Sequence, residues 1–404
     1  MSINLKYFWK FCKHFDLASG ISLLTSARDH IKENSYVYRF LFLSAICGQK
    51  SFLQIDHWGR LASNKKLFRL KRYRNRRYQH TVVSDSTMIT RLGELVSNEL
   101  RLINYRVLKR GIEWGFIKKI AIVDGSWLGK RLYSVLGFVT KWGDIFLVDV
   151  EPLSGRGKEP LGSERLLRRF HRMCSEVGID YLVVDALYFT ERFYRLYCQG
   201  VFKQLVIKYT PDEEKGGAFR RVLERFEELA AIYEFEHRSR AQERLLQQMG
   251  FRYQQGYDKS SGEQYRIYIA RSNSYDRRYQ IARVMENKAG QDGQVFYVIT
   301  TDKSLDGKQM RQLARRRWYI ENDGFKTLNN HIHSKRIWTQ GKVEHLNLLL
   351  IQILSFSLLM LFRKEYGYKI SRIYKSKKIT LSFVARILFD YPIGWKADGA
   401  RSQF

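Results

Sequence analysis

Short, unbroken runs of apolar residues organise the middle of this chain. They are IAIV at 120–123, YLVV at 181–184 and VFYVIT at 295–300, with a further strand expected over 204–208. Each is too short for a helix and lacks polar alternation, which predicts strands buried on both faces. The first run ends in Asp124-Gly125-Ser126 and the second in Asp185. Residues 133–140 and 145–150 predict two more strands, joined by a tight turn near Lys141, Trp142, Gly143 and Asp144. A Gly-rich segment, SGRGKEPLGSE, follows; it lacks the spacing of a phosphate-binding loop and is expected to be a connection. Helical periodicity covers 164–177, with Leu166, Leu167, Phe170 and Met173 inward, and 190–199. Strands alternating with helices predict an α/β core with the two Asp-ended strands near its centre.

The flanks read differently. Residues 1–115 predict basic helical segments, including an apolar helix over 35–47. Ser84-Asp85-Ser86 offers an N-cap to a helix whose inner face is Met88, Leu92, Leu95 and Val96. PDEEKGG breaks the core pattern, and 209–294 reads as an insertion: a charged amphipathic helix over 218–233, then a hairpin of 251–257 and 264–270 around DKSSGE. VFYVIT returns to the core and leads into LARRRWYIENDGFKTLNN at 313–330. Taken as one helix, this stretch puts Ala314, Trp318, Glu321, Phe325 and Leu328 on one face. LNLLLIQILSFSLLMLF at 346–362 is shorter than the ~20 residues a bilayer needs and carries Asn347, Gln352, Ser355 and Ser357, which predicts a buried core helix. The expected boundaries are therefore 1–115, 116–208, 209–294, 295–365 and a basic tail at 366–404, with no internal repeat.

Composition narrows the partner. The chain has 404 residues, enough for two to three domains, and its 45% apolar content suits packed cores. Its 71 Lys+Arg against 40 Asp+Glu give a formal net charge of +31. That excess favours a polyanion, nucleic acid first and an anionic membrane surface second. RLKRYRNRRY at 69–78, with Arg72, Arg74, Arg76 and Arg77, is too charged for a core stripe; it is a solvated loop or a surface that meets phosphates, and the interleaved Tyr favours the second. The four cysteines form no close pair, so no disulfide framework or Cys-rich zinc site is expected, and a reducing cytoplasmic setting fits. Lys and His interrupt the apolar part of the N-terminus, unlike a signal peptide. The nine His show no metal-ligand spacing.

Glu321 poses the chemical question. An ionised carboxylate on an apolar face needs a cation or good hydrogen bonds. Arg317, one turn earlier, can supply an ion pair; alternatively Glu321 holds a metal. Together Asp124, Asp185 and Glu321 would form an acidic cluster that repels itself and raises its own pKa values. Divalent cations with oxygen ligands relieve that repulsion, and Mg²⁺ is the usual hard ion. Two such ions about 4 Å apart can clamp the attacking and leaving oxygens of an in-line phosphoryl displacement. Gly125 and Ser126 are expected to leave room for a phosphate backbone.

The blocks SDSTMITRL, IAIVDGS, YLVVDALYF, VITTDKS and RRRWYIENDGFKTLNN resemble the DDE transposases of bacterial insertion sequences, in the family-four type with a strand-rich insertion between the second Asp and the Glu. The resemblance spans roughly residues 84–365. It implies a ribonuclease H-like mixed sheet flanked by helices, split by the insertion, behind a helical DNA-binding region at 1–115. It implies Asp124, Asp185 and Glu321 as a catalytic triad for two Mg²⁺ ions, with Mn²⁺ as a substitute, and cut-and-paste movement of double-stranded DNA in the bacterial cytoplasm, at the nucleoid. Arg317 matches the Arg of the family signature Y-x2-R-x3-E-x6-K. Ala314 and Leu328 depart from its Tyr and Lys, which puts the terminal-phosphate contacts in doubt; Lys326 lies nearby. Arg315, Arg316 and Lys208 are further candidate DNA contacts. A homodimer on DNA is expected, since two ends must be held, with no membrane and no small-molecule substrate. The rival readings are a metal-dependent nuclease of the same fold and a non-catalytic DNA-binding relative.

Overall fold

The structure, a computed structural model, describes residues 5–22, 24, 31–49, 51–55, 85–210, 218–235, 237–258, 262–271, 279–288, 293–332 and 339–390. Arg72, Arg74, Arg76 and Arg77 lie outside the described residues. The chain divides into two compact units: Met1–Lys119, Gly125–Val177 and Ile320–Phe404 form the first, and Ile120–Asp124 with Gly178–Tyr319 form the second. Strand β1, Ile117–Leu128, belongs to both. It does not stop at the acid as expected but continues past Asp124.

In the first unit, β2 (Arg131–Thr140) and β3 (Ile145–Pro152) pair antiparallel, as predicted from the turn between them. The Lys342–Tyr374 helix packs on β3 and on the helices Ile31–Ile46, Asp85–Glu94 and Ser97–Glu113. Among the described residues it is the one helix long and apolar enough to cross a membrane, and 94% of its apolar window is buried inside the structure. Its polar residues explain why the apolar run is interrupted. Asn347 donates to the carbonyls of Leu92 (2.7 Å) and Leu95 (2.8 Å), at the end of the Asp85–Glu94 helix, where backbone acceptors lack helical partners. Ser357 donates to the Leu147 carbonyl at 3.0 Å and accepts from the Leu147 amide at 2.8 Å. Val96 departs from the inward face expected for it: it is exposed and precedes the Ser97–Glu113 helix as its N-cap.

Asp149 on β3 is fully buried and is held from two helices. Arg101 Nε donates to it at 2.9 Å and Arg169 Nη2 at 2.9 Å, and the Tyr105 hydroxyl donates to it as well. Burial, then the Asp149 charge, push the Tyr105 phenol well above its ordinary value, which keeps it a donor. Arg169 lies on the Glu159–Met173 helix, which starts inside the Gly-rich segment read as a connection. The reason is Pro160 in its first turn, where a missing N–H costs nothing and the fixed φ suits a helix.

His345 is buried on the long helix, with Nε2 at 3.3 Å from the Leu128 carbonyl. Burial lowers its pKa from the ordinary 6.5, and the carbonyl contact only partly offsets this. The unfolded chain then takes up the proton first as pH falls, so this contribution to stability is complete above about pH 6.5 and is lost below it. Thermal melts between about pH 7.5 and 5.5 are expected to show Tm falling, and His345→Gln is expected to flatten that fall. An unchanged slope in the variant would remove His345 as its source.

In the second unit the strands run β1–β4–β5–β9–β8–β7–β6. Here β4 is Tyr181–Asp185, β5 Gln204–Tyr209, β6 Arg252–Asp258, β7 Glu263–Arg271, β8 Gln280–Lys288 and β9 Gln294–Thr300. The first three are parallel and the rest antiparallel, so this is an α/β unit with a mixed sheet. The insertion strands do not form a separate layer, because β9 pairs with β5 on one side and β8 on the other. The Gly307–Tyr319 helix packs across β4, β5, β7, β8 and β9.

Candidate functional site

Two acids meet because two parallel strands are in register. Ile122 on β1 faces Val183 on β4. Asp124 and Asp185 each stand two residues further along, so both project from the same face. The apolar runs before them are buried, which fixes both strands deep in the sheet. Asp185 Oδ1 accepts from the Leu187 amide at 2.8 Å and thereby caps the short turn that follows β4. Its other oxygen, Oδ2, accepts from Arg317 Nη2 at 3.1 Å. The same nitrogen lies 3.6 Å from Asp124 Oδ2. One cationic nitrogen therefore sits against an oxygen from each carboxylate. All three side chains are shielded, at 11% exposed for Asp124, 32% for Asp185 and 14% for Arg317, so these charges act through a medium less screening than water.

Arg317 is delivered by the Gly307–Tyr319 helix, and that helix is pinned by ion pairs that sequence reasoning missed. Arg311 is 1% exposed and reaches three carboxylates, one from each insertion strand: Asp258 at 2.8 Å, Glu263 at 3.0 Å and Glu286 through Nε. Arg315 also binds Glu263, through Nη2 at 3.1 Å, and lies 3.5 Å from Glu286. The helix start is held as well, by the Gly307 amide donating to Gln254 Oε1 at 2.9 Å. No local spacing announces this staple, because its acids lie far away along the chain.

The other expected site residues fall as follows. Lys208 is buried opposite Asp185 on β5, with its ammonium 3.4 Å from the centre of the Trp318 ring and 4.9 Å from that of Phe296. Arg316 is half-buried and lies 5.3 Å from the Tyr319 ring centre. Lys326 is exposed at the start of the Lys326–Ile332 helix. Glu321 is exposed and belongs to the first unit, in a π-helical segment, Ile320–Phe325. The α-helical period expected to carry Ala314 through Leu328 ends at Tyr319, because a π turn takes an extra residue and breaks the 3.6 register. Arg317, foreseen as an ion-pair partner for Glu321, lies against Asp124 and Asp185. Among the described residues no three of His, Cys, Asp and Glu gather as metal ligands. The space expected beside Gly125 is filled by Glu159: a Cβ at Gly125 would lie 2.9 Å from Glu159 Cγ.

Asp124 and Asp185 are the residues that would hold a hard cation. Both offer carboxylate oxygens, and the guanidinium already bridging them is a cation standing where a bound ion would neutralise the same two charges.

No family model matches this chain, and no curated protein matches it. Seven chains of solved structures are similar to it. One is a piggyBac transposase in a synaptic complex with hairpin DNA, at a TM-score of 0.38 and 13% identity, over 96% of this chain and 80% of that one. A TM-score of that size carries no argument about fold or function, which rests on the residues themselves.

Proposed function

We propose that this chain is a DNA transposase that cuts phosphodiesters at the ends of a mobile element and joins the freed 3′-OH to target DNA with divalent-metal help. The observation that carries the reading is the Asp124–Asp185 pair on adjacent parallel strands, gathered on one cation. A chain of net charge +31 that concentrates shielded carboxylates at one point suits a polyanionic substrate and a metal-assisted reaction. Asp124 and Asp185 would hold Mg²⁺, or Mn²⁺ in its place. Glu321 is proposed as the third acid on the strength of the RRRWYIENDGF block alone. Held there, a divalent ion would supply activation of an attacking oxygen and offset charge on the phosphoryl group.

The chain's own residues contribute position and charge. The Leu187 amide fixes Asp185 and leaves Oδ2 turned toward the shared cation. Asp124 stands two residues beyond Ile122, which pairs with Val183 on β4, and is buried. Arg317 supplies a fork that suits a phosphate, and Lys326, Arg315, Arg316, Lys208, Arg72, Arg74, Arg76 and Arg77 are proposed DNA contacts. A ribonuclease H-like sheet and a homodimer that pairs two element ends complete the reading.

The test uses a plasmid carrying the DNA that flanks the gene on both sides, incubated with the full chain and Mg²⁺. Excision with joined products is expected. Cleavage without joining would instead assign a nuclease, and binding without cleavage a non-catalytic relative.

A further inference from the structure

We propose that Arg317 and a divalent cation are alternative occupants of the Asp124–Asp185 pair, so that cation entry releases the guanidinium for a phosphate. The inference rests on the metal-binding reading above and concerns how that site is controlled. Its basis is geometric. A single nitrogen, Nη2, lies 3.1 Å from Asp185 Oδ2 and 3.6 Å from Asp124 Oδ2. Those are the oxygens that a cation shared by the two acids would take. A guanidinium and a metal ion cannot both hold them, since two cations at one point repel strongly in a shielded site.

The exchange is held in balance by its surroundings. Without a cation, Arg317 keeps two adjacent carboxylates from repelling each other, so the pair stays formed. With a cation, the Arg317 nitrogen that met Asp124 and Asp185 gives up both carboxylates and is available as a charged donor beside the reacting position. Phosphate oxygens are the ligand such a fork matches. A phosphate that binds the released guanidinium also removes the metal's competitor. Cation and DNA binding therefore reinforce each other, and by linkage the reinforcement is equal in both directions. The backbone does not need to move, because the Arg311 staple holds the helix and the exchange involves only the Arg317 side chain.

The test is calorimetric titration of Mn²⁺ into the full chain without DNA, for the wild type, Arg317→Gln, Arg317→Lys and Asp185→Asn. Circular dichroism confirms that each is folded. Arg317→Gln is expected to bind Mn²⁺ at least tenfold more tightly than the wild type (about 1.4 kcal/mol or more). Arg317→Lys, which keeps the charge but loses the fork, is expected to fall between them. A short duplex is expected to tighten Mn²⁺ binding to the wild type and to lose that effect in Arg317→Gln. Equal or weaker Mn²⁺ binding by Arg317→Gln, with Asp185→Asn still abolishing it, would overturn the exchange and leave the metal site standing. Wild-type binding that Asp185→Asn does not weaken, or no binding at all, would overturn both.

Discussion

Asp185→Ala is expected to abolish Mg²⁺-dependent DNA cleavage while leaving the chain folded. Its carboxylate supplies one of the two oxygens gathered at the shared cation, and the Leu187 amide fixes it at 2.8 Å. Losing one oxygen ligand removes a share of a stabilisation worth several kcal/mol in metal-assisted phosphoryl chemistry. At 1.36 kcal/mol per factor of ten, the rate is expected to fall by at least roughly a hundredfold. Folding is expected to change little, because Arg317 keeps Asp124 as a partner in the variant. The measurement is cleavage rate against Mg²⁺ concentration, with a thermal melt of the same preparations. A variant that melts normally and still cleaves at the wild-type rate would remove Asp185 from the chemistry.

Arg311→Met is expected to produce the largest loss of stability. The Arg311 side chain is 1% exposed and faces Asp258, Glu263 and Glu286, which come from three successive strands. Methionine has comparable length but no charge, so it leaves three carboxylates facing one another, with Arg315 beside Glu263 and Glu286. Removing one side of a buried ion pair costs about 3–5 kcal/mol, chiefly because the stranded charges remain. A drop in Tm on the order of 10 °C is expected. The same helix carries Arg317, so cleavage is expected to weaken at temperatures where the variant is still folded. Arg311→Lys is expected to recover only part of the loss, since one ammonium cannot fork toward three acceptors. A melt within about 1 °C of the wild type would show that the cluster is solvated and contributes nothing measurable.

Some of this was legible in the sequence for a clear reason. Strands buried on both faces must be apolar without interruption, so β1, β4, β5 and β9 stand out as runs, and their final polar residue stands out with them. That is how Asp124 and Asp185 were found. Asn347 and Ser357 were visible as exceptions in an apolar helix, though only the structure gives their partners, the carbonyls left over at the end of another helix and along β3. Strand β8 escaped notice because Arg283 and Glu286 interrupt its apolar positions; each meets an opposite charge from another element. The π segment at Ile320–Phe325 has no residue signature, so periodicity carried Glu321 onto a face that the helix does not keep. Arg311 lay in a basic run that looks like surface. Its acids lie 25 to 53 residues away, and no spacing rule reaches that far.

The most direct measurement is a crystal of the full chain soaked in Mn²⁺, with anomalous scattering recorded at the manganese edge. A peak is expected within about 2.2 Å of one carboxylate oxygen from each of Asp124 and Asp185, with the Arg317 guanidinium turned away from both. A peak elsewhere, or none, with Arg317 Nη2 still against the two acids at saturating Mn²⁺, would contradict it.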